Sequence, residues 1–466
     1  MKKPLVVFLP ALLLLAGCMV GPNYKRPAVP LPGEHRGAPA STSETSLADT
    51  KWPDLFQDDT LKQLIAAALA HNFDLALASE RVQEARIRFR IAGAGEYPLV
   101  LAQGQFNATR PSRIGSNPFV PSSGSMDVSY TQAGATVAWE LDLWGRLRRL
   151  TESARAQYLA SEEARHGIVV SLIGDVAGDY FTLRELDLEL EIARATRDIA
   201  QQNLRLISLR HDHGAATGLD VHQAEQLLYT ASARIASAQR DIGQAENALS
   251  LLLGKPPGEI PRGKALDDFS LPAEIPAGLP SSLLERRPDI RQAEDLLIAA
   301  NAQIGVAKAY YFPQISLTGF LQGQSRALSD LFTGPARFWS VAPAAVLPIF
   351  SAGQVRMGVR LSETQKREML IAYQKAIHNA LREVSDALVR YSRTREQRQQ
   401  QDSLVRALTE TSRLSNLRYH GGLDSYLQVL DADRNLFQGR LVLAQLRLQE
   451  LLSFVQLYRA LGGGWQ

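Results

Sequence analysis

Few side chains in this 466-residue sequence have the type and spacing to do chemistry. His211-Asp212-His213 sets two imidazoles around a carboxylate. Such a set can hold a metal ion given the right geometry, but we read it as a solvated polar loop with no metal. Thr217 precedes Asp220 by three residues, and Ser425 precedes Gln428 by three. Both pairs fit capping boxes at helix starts. No nucleophile stands beside a base in a recognisable pattern, and no zinc-ligand spacing or glycine-rich phosphate cradle occurs. Gly462-Gly463-Gly464 is a chain end rather than a phosphate loop. An enzyme is therefore not expected, nor a cofactor.

Cys18 is the only cysteine, which rules out an internal disulfide. Lys2 and Lys3 precede an apolar run from Leu5 to Ala16, which is too short to span a bilayer and suits the core of a signal peptide. Leu15-Ala16-Gly17-Cys18 resembles the lipobox of bacterial lipoproteins, in which the cysteine is lipidated and becomes the mature N-terminus. Met19 follows, not the aspartate that resembles an inner-membrane retention signal, so outer-membrane lipid is the expected anchorage. Without Lys2 and Lys3, 49 basic residues face 48 acidic ones, a balance with no nucleic-acid footprint. No other segment offers 18 consecutive apolar residues. Any membrane crossing must then be made by strands, and only as a closed barrel.

The elements that would position these residues come in two copies. Leu69, Asn72, Asp74 and Pro98 recur 215 residues later as Leu284, Arg287, Asp289 and Pro313. Gly145, Arg210, Gly214, Val221, Ala224 and Gly254 recur 208 residues later as Gly353, Arg418, Gly422, Val429, Ala432 and Gly462. Each copy reads helix, two strands, long helix, turn, long helix. The resulting division is a signal peptide (1–17), a lipidated extended segment (18–60), a first repeat (61–254), a Pro/Gly-rich connector (255–282), a second repeat (283–462) and a chain end (463–466). The fold class is mainly α with a small β part.

Leu99–Thr109 and Val128–Leu143 alternate, as do the residues from Ile315 and from Phe338 to Phe350. Ala133, Ala135, Val137, Trp139 and Leu141 share one face, and Gln132, Thr136 and Glu140 the other. The pattern fits membrane barrel strands, apolar outside and polar inside, and equally a half-buried sheet in a soluble domain. Trp139, Trp144, Phe338 and Trp339 near strand ends suggest aromatic girdles. Four strands cannot close a barrel, so a membrane reading demands several copies of the chain. Gly145 to about His211 predicts a helix of roughly 100 Å. The return helix repeats every seven residues at Val221, Leu228, Ile235, Ile242 and Leu249, with Ala224, Ala231, Ala238 and Ala245 between. Val169, Val176, Leu183, Leu190 and Leu204 keep the same period on the outgoing helix, with Arg197 interrupting. A sustained period of seven predicts a left-handed coiled coil.

These features together resemble the TolC-like outer-membrane efflux family in its lipoprotein branch. The resemblance rests on Cys18 to Pro27, on Gly278-Leu279-Pro280, on Arg287-Pro288-Asp289-Ile290, on Ala299 to Ala302, on Ile304 to Ala307, and on Arg418-Tyr419 with Val429-Leu430-Asp431-Ala432. It implies a homotrimer with a shared 12-stranded barrel and a periplasmic helical barrel. A periplasmic adaptor and an energised inner-membrane pump are implied as partners. It also implies a gate at the helix turns, with Asp220 and Asp431 in positions like the family's constriction aspartates. Gln428 stands where some relatives carry another acid, and Asp424 where some carry a base. Arg210, Gly214, Arg418, Tyr419 and Gly422 mark the turns and the implied adaptor contacts. Exit of drugs or other small toxic compounds is the expected function. A protein-secretion duct of the same architecture, or a lipidated coiled-coil scaffold without a pore, are the competing readings.

Overall fold

The computed structural model describes residues 19–37, 46–110, 127–272 and 275–465. Cys18 and the signal peptide lie outside the described residues. The first half carries α1 (Asp59–His71), α2 (Phe73–Ala94), β1 (Leu99–Thr109), β2 (Val128–Leu141), α3 (Arg146–Asp212) and α4 (Gly218–Leu252). The second carries α5 (Pro288–Ala309), β3 (Gln314–Ser325), β4 (Arg337–Val346), α6 (Gln354–His420) and α7 (Tyr426–Ala460). The long helices match in length, with 67 residues in α3 and α6 and 35 in α4 and α7. Among the described residues, no helix is long and apolar enough to cross a membrane.

The chain forms two compact units, one of residues 1–27, 83–160 and 294–372, the other of 28–82, 161–293 and 373–466. The first holds a four-stranded antiparallel sheet in the order β1-β2-β3-β4. Its register sorts the side chains as the alternation predicts, because directly paired residues share a face. Val100, Val137 and Val341 fall in one row and Ala102, Ala135, Leu321 and Trp339 in another on the apolar face. Gln105, Gln132 and Gln324 form a row on the opposite face, where Gln132 Nε2 donates to Gln324 Oε1 at 3.2 Å. Two strand ends are shorter than expected. β2 stops at Leu141, after which Leu143 N–H bonds back to Leu141 O in a tight turn. β4 stops at Val346, two residues before Pro348, which has no N–H to give a ladder. The aromatic girdle is also corrected in part. Trp339 is exposed on the apolar face, but Phe338 lies on the polar face with its ring 5.2 Å from Phe320. Trp139 and Trp144 instead donate their indole N–H groups to Glu96 O and Pro313 O at the foot of the strands.

The second unit is a helix assembly. Phe56, Leu61, Ile65, Val176, Tyr180, Phe181, Leu249 and Val455 belong to one buried cluster, and Ala193, Ala200, Ile207, Ala231, Val429 and Phe437 to another. On α4 the alanine line is the buried seam. Ala224, Ala231 and Ala238 are almost fully enclosed, whereas Val221, Leu228, Ile235 and Ile242 are half-buried. Small side chains admit the close approach of neighbouring backbones, and larger ones flank the contact. On α3 the expected stripe shifts. Leu190 and Leu204 are half-buried, and the buried seven-residue steps are Ala193, Ala200 and Ile207, accompanied by Glu189 and Thr196. Arg197 sits beside this seam, paired with Asp198 at 2.6 Å. Again the smaller residue takes the contact.

Candidate functional site

Both helix turns are built on the same backbone device. α3 ends at Asp212 and Gly214 takes φ +75°; α6 ends at His420 and Gly422 takes φ +74°. In each, the residue after the glycine donates its N–H to a carbonyl in the helix's last turn: Ala215 to Arg210 O at 2.7 Å, Leu423 to Arg418 O at 2.9 Å. This is a left-handed helix terminator, and glycine alone adopts it without strain.

Beyond that shared device the turns differ. In the first, Asp220 is folded back onto the helix start. Its Oδ2 accepts from Thr217 N–H and Thr217 Oγ1, both at 2.8 Å, and Asp220 N–H donates to Thr217 Oγ1 at 3.2 Å. The capping box therefore forms, and it holds the Asp220 carboxylate. In the second turn the expected Ser425–Gln428 box does not form. The Ser425 side chain makes no cap bond, and Gln428 N–H reaches the Ser425 carbonyl at 3.2 Å while its side chain is exposed. An ion pair closes this turn instead. Arg418 Nε donates to Asp424 Oδ2 at 2.5 Å and Nη2 to Oδ1 at 3.1 Å, a bidentate fork. These hydrogen bonds hold Asp424 below the usual carboxylate range.

Arg210 and Tyr419 join the two turns, with the guanidinium 4.7 Å from the ring centroid. Tyr419 packs in turn on Tyr426, at 5.5 Å between centroids. Asp431 is exposed, with Arg434 Nη2 at 2.9 Å and Asn435 Nδ2 at 3.0 Å. His211 and Asp212 are exposed in the last turn of α3 rather than in a loop, with His211 Nδ1 3.7 Å from Asp212 Oδ1, and no group of three potential metal ligands occurs among the described residues.

Sequence reasoning missed three buried polar arrangements. Asp433, two residues beyond Asp431, points inward. Its Oδ1 accepts from Ser412 Oγ at 2.5 Å, its Oδ2 has no partner among the described residues, and burial pushes its pKa up. Glu185 and Glu189 are both almost fully enclosed on α3. Glu189 is ion-paired to Arg234 of α4 and accepts from Gln445 Nε2 of α7 at 3.2 Å. Glu185 Oε1 has no partner among the described residues, and burial together with the Glu189 charge pushes Glu185 up to about 8. The available signal was that Glu185 and Glu189 lie four residues apart, on one face of the helix.

The third arrangement pins the chain just after Cys18. Arg149 is 1% exposed and holds Val20 O, Gly21 O and Asn23 Oδ1, the last at 2.7 Å. Asn301 Nδ2 donates to Pro22 O at 2.8 Å, and Arg26 forms a two-bond fork on Glu294 at 2.7 and 2.8 Å. Val20 N–H donates to Trp144 O at 3.0 Å, so this strap docks where β2 gives way to α3.

Residues 64–255 and 279–463 both match the family model described as outer membrane efflux protein. The chain belongs to that family. The solvent efflux pump outer membrane protein SrpC of Pseudomonas putida is 40% identical over 462 residues, spanning 98% of this chain and 97% of that one. The cation efflux system protein CusC of Escherichia coli is 35% identical over 462 residues, or 97% of each chain. The open-state MtrE outer membrane channel of Neisseria gonorrhoeae superposes with a TM-score of 0.87 at 30% identity, over 96% of this chain and 99% of that one. Members of the outer membrane efflux protein family are channel proteins. This member is the outer-membrane component of an efflux pump, with its helices in the periplasm.

Proposed function

We propose that three copies of this chain form one exit duct for small toxic molecules, passive and gated at the helix turns. The observation that carries this reading is the open sheet. Among the described residues, β1 and β4 leave unpaired edges on a sheet with one apolar face, and such a sheet survives in lipid only when other copies close it. Three copies supply 12 strands, with Val137 and Trp139 on the lipid side and Gln132 and Glu140 toward the lumen. The pump and periplasmic adaptor supply the energy and the connection. Arg210, Gly214, Arg418, Tyr419 and Gly422 form the surface the adaptor meets. At the gate Asp431 is the constriction carboxylate, three per trimer. Asp424 and Gln428 line the same turn, and Asp220 contributes there chiefly by capping its helix. The docked strap supports lipidation at Cys18, because it holds the neighbouring residues at the foot of the strands.

Cargo of the solvent or cation type named for the relatives suits a duct whose polar strand face is mostly amide and hydroxyl. Removing the gene from its host tests the reading. Cells should then accumulate more of a small apolar dye such as N-phenyl-1-naphthylamine, and restoring the gene should reverse this. Unchanged accumulation in a host whose cognate pump is active would overturn it.

A further inference from the structure

The chain following β4 is among the most exposed apolar segments described. Ile349 is 96% exposed and Phe350 90%. At the start of β1, the opposite edge of the same sheet, Tyr97 is 74% exposed and Leu99 57%. A recess of about 400 Å³ opens there, lined by the apolar Tyr97, Leu99, Ala138 and Trp139 and by the polar Glu140, Ser316 and Thr318. Trp139 is fixed in its wall by the bond to Glu96 O at 3.0 Å.

Strand direction brings these two features together. Each neighbouring pair in the sheet is antiparallel, so β1 and β4 run in opposite senses. A β4 from a second copy laid on β1 is therefore antiparallel to it. Pairing the 10 residues of β4 with the 11 of β1 along their full length sets Val346 beside Leu99. The next four residues, Leu347 to Phe350, then fall beside residues 95–98. No sliding is needed, and a register with less overlap leaves backbone donors and acceptors unpaired in lipid.

Resting on the trimeric reading above, we infer that Ile349 and Phe350 of one protomer fill the recess beside Tyr97 and Trp139 of the next, forming an apolar plug at the foot of each strand seam. Exposed apolar side chains meet the apolar part of the recess, formed by Tyr97, Leu99, Ala138 and Trp139, and the two edges that must pair supply the alignment. Aromatic residues packed in an interface recess are the usual anchors of such contacts.

Cysteine cross-linking in the intact, membrane-inserted protein tests the seam. Tyr97→Cys combined with Phe350→Cys should give cross-linked dimer and trimer with a short bis-maleimide. Each single variant sets the background from Cys18 and should give neither. Thr109→Cys with Phe350→Cys, which places one cysteine at the other end of β1, should also give neither. Ile349→Ser with Phe350→Ser should lower the trimer fraction in mild detergent while helix content by circular dichroism stays unchanged. A trimer by mass that never cross-links between 97 and 350, or that cross-links equally between 109 and 350, would overturn the plug and leave the trimer standing. A chain that is monomeric by native mass measurement in the membrane-extracted state would overturn both.

Discussion

The family resemblance sets both Asp220 and Asp431 at the gate, but their carboxylates have different partners. Asp220 has turned its Oδ2 onto Thr217 at its helix start, whereas the exposed Asp431 carboxylate is held by Arg434 and Asn435 further along α7. Thr217→Ala should therefore cost about 1 kcal/mol of local helix stability and leave ion selectivity unchanged. Asp431→Ala should weaken cation preference and divalent block, since a ring of carboxylates favours cations. Reversal potentials in planar bilayers measure both. A selectivity change in Thr217→Ala and none in Asp431→Ala would exchange their roles. The Glu185–Glu189 pair makes a separate prediction. Folding raises the Glu185 pKa above its open-chain value, to about 8. Its contribution is thus complete in acid and is lost as pH climbs toward that value. The charges facing it are Glu189 on its own helix and Arg234 on α4, with the neutral Gln445 on α7. Wild type should lose thermal stability relative to Glu185→Gln as pH rises from about 5 to about 8, over the window opened by the raised pKa. A difference independent of pH would mean that Glu185 is already ionised in the fold.

The elements were largely legible because their patterns are long. The α4 heptad and both helix-ending glycines follow from spacing alone, and the strand faces from alternation. What was not legible depends on which helix lies opposite. The α3 seam passes through Ala193 and Ala200 rather than Leu190, because close backbone approach favours alanine and only packing reveals the partner. Ser425 offered a cap in sequence, but Arg418 had already tied Asp424, and that pair closes the turn. Buried acids such as Asp433 look like surface residues until the fold encloses them. Two substitutions test the element-scale reading. Ala231→Leu should overpack the α4 seam and destabilise by about 1–3 kcal/mol, read from chemical denaturation. Val137→Arg should impair insertion by about 2–4 kcal/mol if it lies near mid-membrane, with Thr136→Arg milder. Equal membrane yields of the two arginine variants would reject the assigned faces.

At the scale of the whole molecule, two copies of one helix–strand–helix pattern yield four strands and four long helices, and neither set is complete alone. Among the described residues the sheet has two open edges, and the long helices expose Leu219, Tyr229 and Leu417 at 63–66%. Closure of the sheet by further copies is therefore a condition of function. Lipid is secondary to it. Cys18→Ser should abolish incorporation of radioactive palmitate, and label persisting on that variant would remove the lipidation proposal. The most direct measurement is single-channel conductance of purified protein whose mass has been determined in the same preparation. Cation-selective conductance is expected from the trimer only, blocked by divalent ions from the side of the helix turns. Conductance from a monomer, or a trimer that inserts and conducts nothing even with Asp431 replaced by alanine, would contradict it.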